Sequence, residues 1–175
     1  MARKKAQDNK PREIEIRVIE VDDLPKVFHL GEQLFTSQEL PNLYRTWDEY
    51  EVTGCFLSEP DNCFVAECEG RVVGFALGST VEKRRSAWKY GHLYWLGVDE
   101  EFQGYGIAGR LFKTFRERME ELGVRILLVD TSANNTAAIE FFRKKGFGDP
   151  EDHVYMSLNL ETYRREQEKK KNGSG

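Results

Sequence analysis

Residues 91–109 read GHLYWLGVDEEFQGYGIAG, and the fold turns on what they form. Leu93, Trp95, Leu96 and Val98 are β-prone residue types in one short run, which predicts a strand. Asp99, Glu100 and Glu101 end it. Gln103-Gly104-Tyr105-Gly106 then leads into an amphipathic run. Ile107, Leu111, Phe112, Phe115, Met119 and Leu122 share one helical face, and Arg110, Lys113, Arg116 and Glu120 another. The first amides of a helix have no partner within it and carry partial positive charge. Glycines beside them leave no Cβ in a ligand's way. Two readings are open on these residues alone: a cradle for a phosphate group, or glycine used for packing at a tight turn. The chain holds no G-x-x-x-x-G-K-[ST] run.

Downstream, Ile126, Leu127, Leu128 and Val129 form a continuous apolar run, the pattern of a strand covered on both faces. Residues 91–130 therefore predict a right-handed parallel crossover of strand, helix and strand. Residues 132–135 offer N-caps for a helix through Lys145, closed by Gly146, with Ala138, Ile139, Phe141 and Phe142 as its apolar side chains. Val154, Met156, Leu158 and Leu160 alternate with polar residues and predict a last strand.

Upstream, Ile14, Ile16 and Val18 alternate with Glu15 and Arg17, as in a half-buried strand. Asp22 or Asp23 can cap a following helix that has Pro25 in its first turn and Leu24, Val27, Phe28 and Leu34 as its stripe. Residues 36–44 read as a loop. A second helix is expected over residues 46–57, with Trp47, Tyr50, Phe56 and Leu57 as its apolar contributors. Glu39, Asp48, Glu49 and Glu51 make this region acidic, which suits a solvated face or a lip that attracts a cationic substrate. Phe64, Val65 and Ala66 predict a strand, Glu69-Gly70 a hairpin turn, and residues 72–81 the returning strand, with Gly74 and Gly78 at bulges or close contacts. Residues 82–86 read as a charged turn.

With 175 residues, 39% of them hydrophobic and 12% aromatic, the chain can bury a core of its own. The expected organisation is a disordered basic arm over residues 1–12, one domain over 13–161 and a charged tail over 162–175. The formal charge of −4 disfavours nucleic acid as a partner. No apolar run approaches the roughly 18–20 residues of a membrane span, and no apolar segment follows MARKKAQDNK as in a secretory signal. Cys55, Cys63 and Cys68 lack metal-ligand spacing, so no metal is expected, and free thiols in a cytoplasmic location fit them.

Two segments carry a resemblance. Gln103-x-x-Gly106-x-Ala108 resembles the [RQ]-x-x-G-x-[GA] signature with which GNAT acetyltransferases hold the acetyl-CoA pyrophosphate. Asn135-x-x-Ala138-x-x-Phe141-Phe142-x-Lys144-x-Gly146-Phe147 resembles that superfamily's second cofactor segment, N-x-x-A-x-x-[LF]-Y-x-K-x-G-F. Both stand in order, separated by one strand, and together they favour the cradle over packing. The resemblance covers most of residues 13–160. It implies an α/β (α+β) fold: a mixed, mostly antiparallel central sheet with one parallel, splayed strand pair and helices on both faces. Gly91-His92-Leu93 leading to Leu96-Gly97-Val98 looks most like the protein N-terminal acetyltransferases, among them the ribosomal-protein alanine acetyltransferases.

What the resemblance implies is an acyltransferase that moves an acetyl group from acetyl-CoA to a primary amine. A protein N-terminus or peptide amine ranks first as acceptor, and a small amine or polyamine second. A catalytically weak acetyl-CoA-binding regulatory module is the reading from another class, and a second copy of the chain is a candidate partner. The pyrophosphate would take N–H groups from Gln103, Gly104, Tyr105, Gly106, Ile107 and Ala108. Pantetheine would pair with backbone near Leu96 and Val98, and Asn135 and Phe142 would line the cofactor from the following helix. Asp130, at a strand's carboxyl end, stands where the family places a base, ahead of His92, whose residue type titrates nearest neutral pH. Asp130 as a turn cap and His92 as a core histidine are the competing readings. Tyr94 would line the acceptor site. The family's usual acid is a tyrosine where this chain has Phe142, so either the thiolate leaves without an acid or another phenol, Tyr155 or Tyr94, supplies the proton, with Tyr155 as a substrate contact the competing reading.

Overall fold

The computed structural model describes residues 13–35, 46–82, 88–151, 154, 156 and 158–172. The expected basic arm, the loop at 36–44 and most of the charged turn at 82–86 fall outside these residues. The chain divides into two compact units, Met1–Ser132 and Ala133–Gly175.

The first unit is built on a five-stranded sheet in the order β1-β2-β3-β4-β5. Its strands are β1 (Ile14–Val18), β2 (Phe64–Cys68), β3 (Arg71–Glu82), β4 (Lys89–Val98) and β5 (Ile126–Val129). β1 to β4 are antiparallel neighbours, and β4 and β5 are parallel, as the crossover pattern requires. Glu69 and Gly70 link β2 to β3 with both φ angles positive, 52° and 81°, the geometry of a two-residue hairpin.

Among the described residues this unit has three α-helices: α1 (Leu24–Leu34), α2 (Glu49–Ser58) and α3 (Ile107–Glu121). α3 lies on one face of the sheet. A Cβ on Gly78 would meet the Phe115 ring at 2.5 Å, and one on Gly91 the Met119 sulfur at 2.8 Å. The apolar stripe read from sequence is the stripe that packs, with Ile107, Leu111, Phe112, Phe115 and Met119 all buried. Gly123, at φ 73°, closes the helix, and Val124 N–H donates to Met119 O across the cap.

α1 and α2 cover the other face, over a core that includes Val27, Leu30, Val52, Val65, Phe75, Leu77, Trp47 and Trp95. Trp47 stacks on Phe75 at 5.3 Å and meets Trp95 edge-on at 5.0 Å. On α2 the sequence expectation is corrected. Tyr50 is 76% exposed and Leu57 80% exposed, whereas Val52 is 1% exposed. The helix begins only after Asp48, whose carboxylate accepts from Tyr50 N and Glu51 N. That start places Val52, Cys55 and Phe56 on the core side.

Asp23 is also not the side-chain cap expected of it. It is 2% exposed, and its carboxylate accepts from Glu20 N and from both Arg17 guanidinium amines, while Arg17 Nη2 also reaches Glu67 at 2.6 Å. This ties β1 and β2 to the start of α1. The Arg17 guanidinium holds the Asp23 carboxyl below the usual carboxylate range, against the opposing effect of burial. A depressed carboxyl contributes stability that is present above its unfolded pKa and lost as pH falls through the folded value. Asp23→Asn should therefore cost about 2–4 kcal/mol at neutral pH. Urea unfolding of both proteins at pH 7 and in acid should show the gap closing as the parent's carboxyl is protonated.

Leu128 of β5 is 41% exposed while its strand neighbours are partly buried, so the expected cover on both faces is incomplete at that residue. Cys55, Cys63 and Cys68 form no disulfide among the described residues, and burial pushes the Cys63 thiol up to about 11.

The second unit holds α4 (Thr136–Lys144) and α5 (Leu160–Asn172). Asn135 caps α4 by accepting from Ala138 N, and Gly146 at φ 96° closes it, with Phe147 N–H donating to Phe142 O. The expected last strand is corrected. Val154, Met156 and Leu158 form no strand and are exposed, and Leu160 opens α5 instead. Asn159 accepts from Glu161 N and Thr162 N, and this local cap wins over an alternation that has no partner strand among the described residues. No described helix is long and apolar enough to cross a membrane.

Candidate active site

The site begins with an irregularity in β4. Leu77 pairs with Trp95 but Gly78 pairs with Leu93, so Tyr94 is an extra residue on β4, a β-bulge. A bulge shifts the alternation of side chains by one. Gly91 presents its Cβ position to Met119 and Leu127 on the α3 side, whereas Gly97, six residues on, presents its own to Leu34 and Phe75 on the α1/α2 side. An unbroken strand would have put both on one face. His92 and Tyr94 therefore share the α1/α2 face with Trp95, and their rings lie 4.5 Å apart. Trp95 Nε1 donates to Glu51 of α2 at 2.8 Å.

β4 also parts from β5 at this place. Their register runs from Tyr90↔Ile126 to Leu93↔Val129, and residues 94–98 continue without a described partner on that side. Asp130 follows the last paired residue of β5. Its Oδ1 lies 2.8 Å from His92 Nε2. The two candidate bases, 38 residues apart in sequence, are thus one hydrogen-bonded pair. The pair is only partly buried, at 21% and 37% side-chain exposure.

Tyr94 hydroxyl lies 2.9 Å from Ser79 Oγ. Ser79 is on β3, paired with His92, so the phenol is directed away from β5. Ser79 was not singled out in the sequence; only the hairpin register brings it here. Tyr155 lies outside the described residues. Asn135 and Phe142 belong to the second unit, where Asn135 caps α4 and the Phe142 ring meets Phe141 and Phe147 edge-on.

Below the parting strands, Gly104 and Gly106 hold φ of 83° and 74°, a region L side chains rarely adopt, and a Cβ at either would meet nothing within 4 Å. Gly106 is the N-cap of α3. Residues 103–106 are exposed, next to the first amides of a helix of 15 residues. Open space above left-handed glycines at a helix start fits a pyrophosphate and is not needed for packing. A cavity of about 640 Å3 opens elsewhere, between β1, the β2–β3 turn and α3, and none of these site residues lines it.

The family model for the acetyltransferase (GNAT) family matches residues 24–147, which spans both cofactor segments. The chain belongs to the GNAT family. It is 33% identical over 115 residues to human N-acetyltransferase 8B, covering 63% of this chain and 51% of that protein. The chain thus spans about half the length of that relative. It is 29% identical over 133 residues to an acetyltransferase of Pectobacterium atrosepticum, covering 75% of this chain and 85% of that one. Among solved structures, an aminoglycoside acetyltransferase from an uncultured soil metagenomic sample shares the fold with a TM-score of 0.66 at 24% identity, covering 83% of this chain and 97% of that one. Ribosomal-protein-alanine N-acetyltransferase from Brucella melitensis does so with a TM-score of 0.65 at 15% identity, covering 84% and 100%. The fold therefore accompanies both small-molecule and protein acceptors.

Proposed function

We propose that this acetyltransferase acts on the α-amine of a protein or peptide N-terminus, with His92 as the base and Asp130 as the carboxylate that orients it. The observation that carries this reading is the 2.8 Å contact between them where β4 leaves β5. With Nε2–H donated to Asp130, His92 takes the amine proton at Nδ1. Asp130 stabilises the imidazolium so formed and draws an ammonium group toward the site. An α-amine, with a pKa of about 7.7–8.0, is partly neutral at physiological pH, while a lysine amine at about 10.4 is almost wholly charged. A histidine–carboxylate pair suits the first better.

Acetyl-CoA supplies the activated acyl group. Amides of residues 103–108 hold its pyrophosphate, and backbone of Leu96 and Val98 pairs with pantetheine as an added strand would. A main-chain N–H of this segment polarises the thioester carbonyl. Tyr94, its hydroxyl bonded to Ser79, is a wall of the acceptor site.

Release of CoA thiol tests the acceptor. The panel would be peptides with a free N-terminus, the same peptides N-terminally blocked but carrying an internal lysine, and spermidine. Turnover confined to free N-termini is expected. Faster turnover of spermidine than of every peptide would overturn the assignment.

A further inference from the structure

Three carboxylates, Asp99, Glu100 and Glu101, stand directly before the loop proposed above to hold a polyanion. Their charge is of the wrong sign for that task, and the structure shows what offsets it. Arg71, the first residue of β3, pairs through Nη2 with Asp99 and through Nη1 with Glu101 at 3.3 Å, and its guanidinium lies 5.5 Å from the centre of the Phe102 ring. One cation thus engages three of the four residues at 99–102. Asp99 is 7% exposed and is itself a hub, because its N–H donates to Val73 O at 2.9 Å and its Oδ1 accepts from Glu101 N at 2.9 Å. Phe102 is 5% exposed, with its N–H donated to Asp99 O. At the far end of the loop Ile107 is 1% exposed in α3. The exposed residues 103–106 are suspended between these two anchors, and Arg71 joins the first anchor to the β2–β3 hairpin.

We propose that Arg71 is a positioning residue for the cofactor loop, partly offsetting the charge of the acidic turn before it and fixing where Gln103 and the two left-handed glycines present their amides. The proposal rests on the loop assignment made above. Arg71 does not touch the pyrophosphate and acts through residues 99–102. Its effect belongs to the nucleotide end of the cofactor and not to the thioester end.

The test pairs acetyl-CoA with S-acetylpantetheine, which carries the same thioester but no nucleotide or pyrophosphate. Arg71→Met should weaken acetyl-CoA binding by about three- to tenfold, with the loss shrinking as salt is raised, as expected of a partly exposed charge. Its kcat/KM with S-acetylpantetheine should match the parent's. Arg71→Lys should recover part of the affinity, and Glu101→Gln added to Arg71→Met should recover more by removing one uncompensated charge. Parental acetyl-CoA affinity in Arg71→Met overturns the proposal, and so does an equal loss with both donors, which would show a general structural role. Failure of the loop assignment reads differently: substitution at Gly106 would then leave acetyl-CoA affinity unchanged as well.

Discussion

Asp130→Asn is expected to lower kcat/KM by about 10²–10⁴, the range positioned acid–base groups supply, with acetyl-CoA affinity little changed. Asparagine keeps the shape of the side chain at the end of β5. It removes the negative charge, and its amide can donate to His92 Nε2, which would fix the ring in the tautomer that cannot accept a proton at Nδ1. His92→Gln removes the accepting nitrogen and should cost a comparable amount, with the acidic limb of the pH–rate profile altered. Because the two groups lie 2.8 Å apart and act on one proton, their losses should not add. The double variant should be no slower than the slower single by more than a few-fold. Steady-state CoA release at saturating acetyl-CoA, with calorimetry on each variant, measures all of this. Near-parental activity of Asp130→Asn beside a folded, inactive His92→Gln would leave Asp130 as a turn cap only.

Gly106→Val should weaken acetyl-CoA binding by about 10²-fold, the penalty that misplacing a binding group by about an ångström can bring. Two effects combine. The φ of 74° at the N-cap of α3 is strongly unfavourable for a β-branched residue, so the loop backbone must shift. The side chain would also enter space the protein itself leaves empty, since a Cβ there meets nothing within 4 Å. Gly106→Asn separates the two, because asparagine tolerates the left-handed region while still adding atoms. Its melting temperature should stay near the parent's and its affinity should still fall. Calorimetry showing parental affinity in folded Gly106→Val would place the cradle elsewhere.

Much of the frame was legible because it is local. The α3 stripe, the Glu69-Gly70 turn, the cap at Asn135 and the closing Gly146 each depend on residues within one or two turns of each other. Local rules also misled where a competing local signal was stronger. The alternation at residues 154–160 reads as a strand until Asn159 caps a helix starting at Leu160. Tyr50 and Leu57 read as core until the cap at Asp48 sets the phase of α2. The buried Asp23 was misread for another reason. Its partner Arg17 stands on β1, so nothing in the helix that follows announces it, and the Glu20 N–H it accepts lies one tight turn back, at Val21–Asp23.

The sequence by itself determined the family, the strand–loop–helix proposed to hold the cofactor and the two residues suited to take a proton. Glycines, caps and apolar periodicity act over a few residues, and a motif states them directly. Only the tertiary structure decided that those two residues are one pair. His92 and Asp130 meet because β4 and β5 run parallel in a register that ends at Leu93↔Val129. It also decided which face the site occupies. The extra residue at Tyr94 exists only in the pairing of β4 with β3, and it turns Trp95 to the same side as His92 and Tyr94. Register is a property of two strands together, set by the packing of both sheet faces, and no single stretch of chain encodes it.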